Sequence, residues 1–478
     1  MILIDNMNLK ALPKDQYRLQ GRYKVPLLYF YVCLPTEDRP VDGYDNLPLI
    51  NTGIYLDGYI FYKKEQGDAI EVAAKQAVRA GDRSFFANFN SVAQRTTGHM
   101  IHVLQSLEEK KNVDVNDVED FFQAMNDMEY PWWFSLPMSD GLEKVLRGLI
   151  EKLVITVDQS QCFFILEKPT PTIQQGRDLK KIKSQLPPKL LGEIVGKTPA
   201  EAAAAIKQAD PDSFDRIEKH VKQYRWFGMM HFWGEPFSVE KAVEQLLRDS
   251  AEETQQQPPD VSADVSWLKS VCAEVAYWRQ LCADICAMAS YTAYSVLGPI
   301  GQQKTGYAYN LLMWLTPPEF IKMMQGNFEP DLNAIEQRRA CYGMLQEKEV
   351  REVFVGSRVS ELVNEFLEIP QDTKTITGNV AYPGKLTGRV KIIFSPDEIG
   401  KVEKGDILVA NETTPDFLPA LSRAAGIITD LGGISSHAAI ISREFKIPCI
   451  VGTKIATRVL KDNDLVELDA NRGAIKKV

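Results

Sequence analysis

Cysteine is scarce in this chain: seven residues in 478, an odd number with no CxxC pair. That argues against a disulfide scaffold and points to reduced thiols in a cytoplasmic protein. Histidine is scarcer, at five, and no group of His, Cys and carboxylate side chains has metal-ligand spacing. Cys282 and Cys286 stand one helical turn apart with no histidine between them, while His99 and His102 sit at i,i+3 spacing without a carboxylate motif beside them. Both pairs read as packing or surface residues, and no metal is expected. No segment supplies the roughly 18 uninterrupted apolar residues of a membrane span, and Met1-Ile2-Leu3-Ile4-Asp5 has neither the basic region nor the apolar core of a signal peptide. Basic charge is in deficit, with 55 Lys+Arg against 64 Asp+Glu, a net charge of −9 and a pI near 5.4. No general attraction to nucleic acid or anionic membrane follows from such a balance. The deficit lies in the first 370 residues: residues 371–478 carry 15 basic and 13 acidic side chains, a net of +2, which leaves −11 on the rest. A phosphate-binding P-loop is missing too. Gly192-Glu193-Ile194-Val195-Gly196-Lys197-Thr198 has three residues between its glycines where four are needed, and Pro199 follows where the loop should enter its helix.

What is present is ordinary globular composition, 45% hydrophobic and 25% charged, with length for two to four domains. Residues 1–168 mix strand-like runs, Leu27 to Leu34 and Ile54 to Tyr62, with helical stretches around Val92 to Leu107 and Val118 to Met125. Pro169 to Lys189, rich in proline and polar residues, reads as a connector. Thr198-Pro199-Ala200-Glu201 is a capping box with proline at the first helical position, and from there the chain is strongly helical. A polar break at Thr254 to Asp260 separates Val239 to Arg248 from a long helical run, Trp267 to Leu297. A second capping box, Thr316-Pro317-Pro318-Glu319, opens helices expected to continue to Leu367. Ile369 to Asn379 is placed as a hinge. Two aromatic clusters, Tyr224 to Trp233 and Tyr130-Pro131-Trp132-Trp133-Phe134, read as helix packing, with a pocket wall as the functional alternative.

The densest chemistry lies near the C-terminus, in Gly432-Gly433-Ile434-Ser435-Ser436-His437-Ala438-Ala439-Ile440-Ile441. Ala425 to Thr429 reads as a buried strand ending in a tight turn. A helix follows, capped by Ser435 or Ser436 and stopped before Pro448, which puts His437 in its first turn. Unsatisfied N–H groups and the positive end of the helix dipole favour an anion there, and Gly432 and Gly433 let backbone approach a phosphate closely. Neutral imidazole is nucleophilic and can be displaced again from phosphorus. The bland alternative is a buried histidine at a helix start.

These residues resemble the swivelling phosphohistidine domain of the phosphoenolpyruvate-utilising family, which includes phosphoenolpyruvate synthase, pyruvate phosphate dikinase and rifampicin phosphotransferase. The resemblance runs over residues 375–478 and also rests on Gly405-Asp406-Ile407-Leu408-Val409, Thr413-Thr414-Pro415-Asp416-Phe417, Ile447-Pro448-Cys449-Ile450-Val451-Gly452 and Leu465-Val466-Glu467-Leu468-Asp469. More loosely, His220-x3-Tyr224-x-Trp226, Trp233-Gly234-Glu235-Pro236 and Leu315-Thr316-x2-Glu319-Phe320 resemble the helical acceptor-side region of the same proteins. The resemblance implies a multidomain α+β protein: a mixed α/β region at 1–168, a largely helical acceptor-side region at 190–367 and a C-terminal α/β swivelling phosphohistidine domain at 375–478. It implies that His437 is the catalytic phosphoryl carrier, with Gly432, Gly433, Ser435 and Ser436 binding phosphate. The patterns of an ATP-grasp module and of a pyruvate-binding barrel are not found, so no cofactor is expected on this chain, and Mg2+ and ATP are expected on a separate ATP-grasp phosphoryl-donor partner. The expected activity is phosphoryl transfer to a small-molecule acceptor. A noncatalytic phosphohistidine carrier or regulatory protein is the alternative.

Overall fold

The computed structural model describes residues 14–22, 25–33, 44, 47, 50–150, 168–229, 232, 234–247, 261–347, 350–366, 375–394, 396–413, 417–432 and 436–478. Strand β1 (Tyr17–Arg22) pairs antiparallel with β3 (Tyr59–Lys63), and β3 pairs with β2 (Thr52–Leu56). The expected run from Ile54 to Tyr62 is thus a hairpin. Asp57 and Gly58, at φ 45° and 99°, supply the two left-handed residues that a tight hairpin turn needs.

The apolar run before it, read as a strand, is instead the helix Leu27–Cys33. A run this short and apolar on every side suits a buried helix as well as a buried strand, and tertiary hydrogen bonds decide. Leu28 N–H donates to Met313 O at 3.0 Å, and Asn126 Nδ2 donates to Val32 O at 3.0 Å, so both helix ends are satisfied by distant segments.

Pro169 to Lys189 is also corrected: it holds the helix Pro171–Gln185 and the start of Pro188–Ile194. Pro171 and Pro188 occupy first-turn positions, where the missing N–H costs nothing, so they begin helices rather than break them. Gly192 to Lys197 therefore runs from a helix into a turn, with Thr198 closing the expected capping box of the next helix, Pro199–Ala209. The second capping box forms at Thr316, and its Glu319 also holds Arg338 through bonds of 2.7 and 2.9 Å. Helices do not continue to Leu367. Strands β4 (Tyr342–Glu347) and β5 (Val350–Val355) intervene, and only Ser357–Phe366 is helical after them. The N-terminal sheet draws this segment in: β4 pairs with β2, Tyr55 opposite Met344, to give the order β1-β3-β2-β4-β5.

One apolar core runs from Leu27 and Phe30 through Phe121 and Trp133 to Ile285, Trp314 and Met344, joining segments far apart in sequence. Three long helices, Arg83–Glu109, Val115–Ile150 and Ala263–Thr292, pass through it. The Ala263–Thr305 run is long and apolar enough to cross a membrane by length and composition, yet 61% of its most apolar window is buried against the protein. Cys282 and Cys286 lie inside this core, as do Tyr130, Trp133 and Phe134. Tyr224, Trp226 and Phe237 belong to a smaller cluster formed by the helices between 171 and 247. Packing is therefore the main work of the described residues of both aromatic clusters; Trp233 falls outside them. His99 and His102 are exposed.

The polar break at 254–260 and residues 369–374 of the expected hinge fall outside the described residues. Residues 375–377 and 379 already belong to strands β6 (Thr375–Thr377) and β7 (Asn379–Tyr382). They open an eight-stranded sheet that adds β8 (Lys385–Ile393), β9 (Ile407–Ala410), β10 (Gly426–Thr429), β11 (Cys449–Val451), β12 (Leu465–Asp469) and β13 (Ala474–Lys477), in the order β6-β13-β12-β8-β9-β10-β11-β7. Its centre, β8 to β11, is parallel. Alternation along the strands sorts the side chains into two cores: Leu408, Ala410, Ile427, Cys449 and Val451 on one side, Ile407, Val409, Ile428 and Ile450 on the other. The protein is thus a multidomain α+β chain, a largely helical body followed by a C-terminal α/β domain.

Candidate functional site

The site is built where β10 ends. Thr429 donates its hydroxyl to Leu431 O at 2.7 Å, and Asp430, only 4% exposed, turns its carboxylate inward. One oxygen accepts from Thr453 Oγ1 at 2.6 Å and Ala456 N at 2.5 Å; the other accepts from Thr457 N at 3.1 Å and from the Thr457 hydroxyl. A buried carboxylate needs such a set of donors to offset its desolvation. The bonds tie the exit of β10 to the short helix Ala456–Val459 and fix the path of the next residues.

Gly432 then turns the chain at φ 96°, and a Cβ there would sit 2.7 Å from Ser436 Cβ. Both the left-handed backbone and the close approach require glycine. Ser436 is extended, at φ −70° and ψ 160°, and its hydroxyl accepts from Ala439 N–H at 3.4 Å, which makes it the N-cap of the helix His437–Phe445. His437 is the first residue of that helix, at the carboxyl end of the parallel strands, the usual place for ligands in such sheets. Ala438 and Ala439, 2% and 0% exposed, let the helix lie close on the sheet. At its far end Lys446 takes φ 55° and Ile447 N–H bonds Ser442 O at 2.9 Å, so the helix is closed at both ends. His437 is described through its backbone only, and Gly433 and Ser435 fall outside the described residues.

Two further residues belong to this edge. Asn411 follows β9 directly, its carbonyl accepts from Leu431 N–H at 2.8 Å, and its buried side-chain Nδ2 has no hydrogen-bond partner among the described residues. Thr413 is buried just beyond it. The sequence offers no local sign that Asn411 is buried or that Asp430 gathers four donors, since both depend on segments folding back over them. Cys449, behind the helix on β11, has its thiol pushed up to about 12 by burial, so it is no competing nucleophile. Among the described residues no three His, Cys, Asp or Glu side chains are grouped to hold a metal ion. The fold therefore sets the His437 backbone at the start of a capped helix, at the carboxyl edge of the parallel strands.

Residues 402–473 match the family described as PEP-utilising enzyme, mobile domain. The C-terminal domain belongs to that family. Curated relatives align over this C-terminal region: a probable phosphoenolpyruvate synthase of Archaeoglobus fulgidus is 55% identical over 100 residues, 21% of this chain and 13% of that protein. The phosphoenolpyruvate synthase of Pyrococcus furiosus is 51% identical over 110 residues, 23% of this chain and 14% of that one. An uncharacterized phosphotransferase of Bacillus subtilis is 43% identical over 119 residues, 25% and 14% of the two chains. The aligned stretch thus spans only 13% to 14% of the length of these relatives.

Proposed function

We propose that this chain is a phosphotransferase component of the phosphoenolpyruvate synthase type, in which His437 receives a phosphoryl group and passes it to an organic acceptor. The observation that carries the reading is the position of His437 at the first residue of a capped helix, within the stretch that matches the mobile domain. In the first half-reaction a lone pair of one imidazole nitrogen attacks phosphorus, and the bond to the leaving oxygen breaks with its electrons. In the second, an acceptor oxygen attacks phosphorus, the N–P bond breaks, its electron pair returns to the ring, and the proton of an alcohol or phenol acceptor goes to solvent, an enolate having none to lose. Positioning and charge neutralisation supply most of the acceleration in such transfers. Gly432, Gly433, Ser435 and Ser436 form the phosphate-binding turn in this reading. ATP and Mg2+ are held by a separate ATP-grasp protein, and the acceptor is an alcohol, phenol or enolate.

Incubation of the purified chain with radiolabelled phosphoenolpyruvate, and with radiolabelled ATP plus extract of the source cells, tests this. The expected result is an acid-labile, alkali-stable label that disappears in a folded His437→Ala variant. Label that persists in that variant, or no label from either donor, overturns the proposal. Label that forms yet reaches no small molecule in the extract marks the chain as a noncatalytic carrier instead.

A further inference from the structure

A cavity of about 540 Å³ opens in the helical body, between the helix Arg83–Glu109, the end of the helix Pro211–Gln223 with the turn after it, and the last turn of Ala263–Thr292. Its size is that of a small-molecule site. Ile101, Leu104, Trp226 and Met288 give it an apolar floor, with the indole ring only 7% exposed.

The rim is different. Arg225 lies with its guanidinium 4.9 Å over the Tyr291 ring and ion-pairs with Glu108 at 2.5 Å, which holds it in one orientation at the mouth. Lys219 is tied to Asp215 at 2.6 Å. Lys222 is exposed and has no side-chain partner among the described residues. Arg225 and Lys219 are thus each paired with a carboxylate, Glu108 and Asp215, and Lys222 is the charge in excess at this opening, on a body whose net charge is −11. A cationic mouth on an acidic surface is a selective feature rather than a share of the average.

The backbone marks the same place independently. Directly after Tyr291 and Thr292 the long helix loosens into a π-helical turn, Ala293–Leu297. An extra residue in the turn re-aims the side chains beside it and is retained mainly where a site gains from it.

We propose that this cleft binds a planar aromatic anion, its ring against Trp226 and Met288 and its negative group at Lys222 and Arg225. Apolar walls accept the ring, Arg225 presents a fixed fork, and Lys222 supplies a charge that no carboxylate pairs with among the described residues. The binding is a property of the cleft alone and goes beyond the carrier role of His437.

Fluorescence titration of the full chain with anilinonaphthalene sulfonate, an aromatic anion, and with its uncharged analogue N-phenylnaphthylamine tests it. The anion should saturate one site per chain and bind about tenfold more tightly than the neutral probe. Lys222→Gln, an exposed change that leaves the fold untouched, should weaken the anion about fivefold and leave the neutral probe unaltered. Ile101→Trp, or Met288→Trp should the first not fold, fills the floor and should abolish binding of both. Equal affinity for the two probes, non-saturating binding, or titrations indifferent to Lys222→Gln and to the filling variant overturns the proposal.

Discussion

Glu129 lies on the helix Val115–Ile150 in the middle of the body's core, 1% exposed and with no cation among its hydrogen-bond partners in the described residues. Tyr29 OH donates to it at 3.2 Å and Cys286 Sγ at 3.4 Å, two neutral donors that soften its burial without neutralising a charge. Burial raises its carboxyl from 4.5 to about 8. The folded protein therefore keeps a proton that the unfolded chain has released over the whole window from 4.5 to about 8. Stability from this group is fully present below the unfolded value and declines as pH rises through the window, by about 1.4 kcal/mol per unit. Glu129→Gln keeps the shape and a carbonyl acceptor while removing the ionisation. Between pH 5.5 and 7.5 the stability of the variant relative to the parent should rise by about 3 kcal/mol, on top of about 1.4 kcal/mol already gained between 4.5 and 5.5. All seven tryptophans precede residue 315, so urea unfolding followed by tryptophan fluorescence reports the body and not the C-terminal domain. Comparing variant with parent cancels the other titrating groups. A stability difference that stays constant from pH 5.5 to 7.5, or that favours the parent at the higher pH, would refute an uncompensated buried carboxyl at this position.

The C-terminal domain carries three further expectations. Asp430→Ala leaves three donors, Ala456 N–H and the Thr457 N–H and hydroxyl, without an acceptor, while the Thr453 hydroxyl keeps Thr429 O, and should lower that domain's stability by roughly 3 kcal/mol or more, read by hydrogen exchange of the β9 and β10 amides; unchanged protection there would mean the bonds are dispensable. Ser436→Ala removes one N-cap bond and should cost about 1 kcal/mol, seen as faster exchange confined to the first turn of the His437–Phe445 helix. Gly432→Ala forces a Cβ into a left-handed backbone against Ser436 and should cost about 1–3 kcal/mol, with phosphorylation of His437 falling along with stability. Normal labelling of that variant would show that the turn is not needed for the chemistry.

Legibility followed the reach of each interaction. The strand to Thr429, the cap at Ser436 and the helix from His437 were readable because their determinants are neighbours in sequence: β-branched residues, a glycine turn, a serine, then a run free of glycine and proline. The two capping boxes were readable for the same reason. Leu27–Cys33 was not, since a seven-residue apolar run suits either structure and the deciding bonds come from Met313 and Asn126. Pro169 to Lys189 misled because proline starts helices as readily as it ends them. The β4–β5 hairpin escaped because its partner, β2, lies almost 300 residues earlier. Within the candidate site, the helix start at His437 and the turn at Gly432 were readable. Asp430 and Asn411 matter through what folds over them, which no local pattern encodes.

The central claim, that His437 carries the phosphoryl group, is tested most directly by peptide mass spectrometry. The chain is charged with phosphate at alkaline pH, digested, and its peptides fragmented without prior acid. One added phosphoryl group localised to the His437 ring is the predicted result. A phosphoryl group found on Ser435 or Ser436 instead, or a His437 peptide that stays unmodified while donor is consumed, contradicts it.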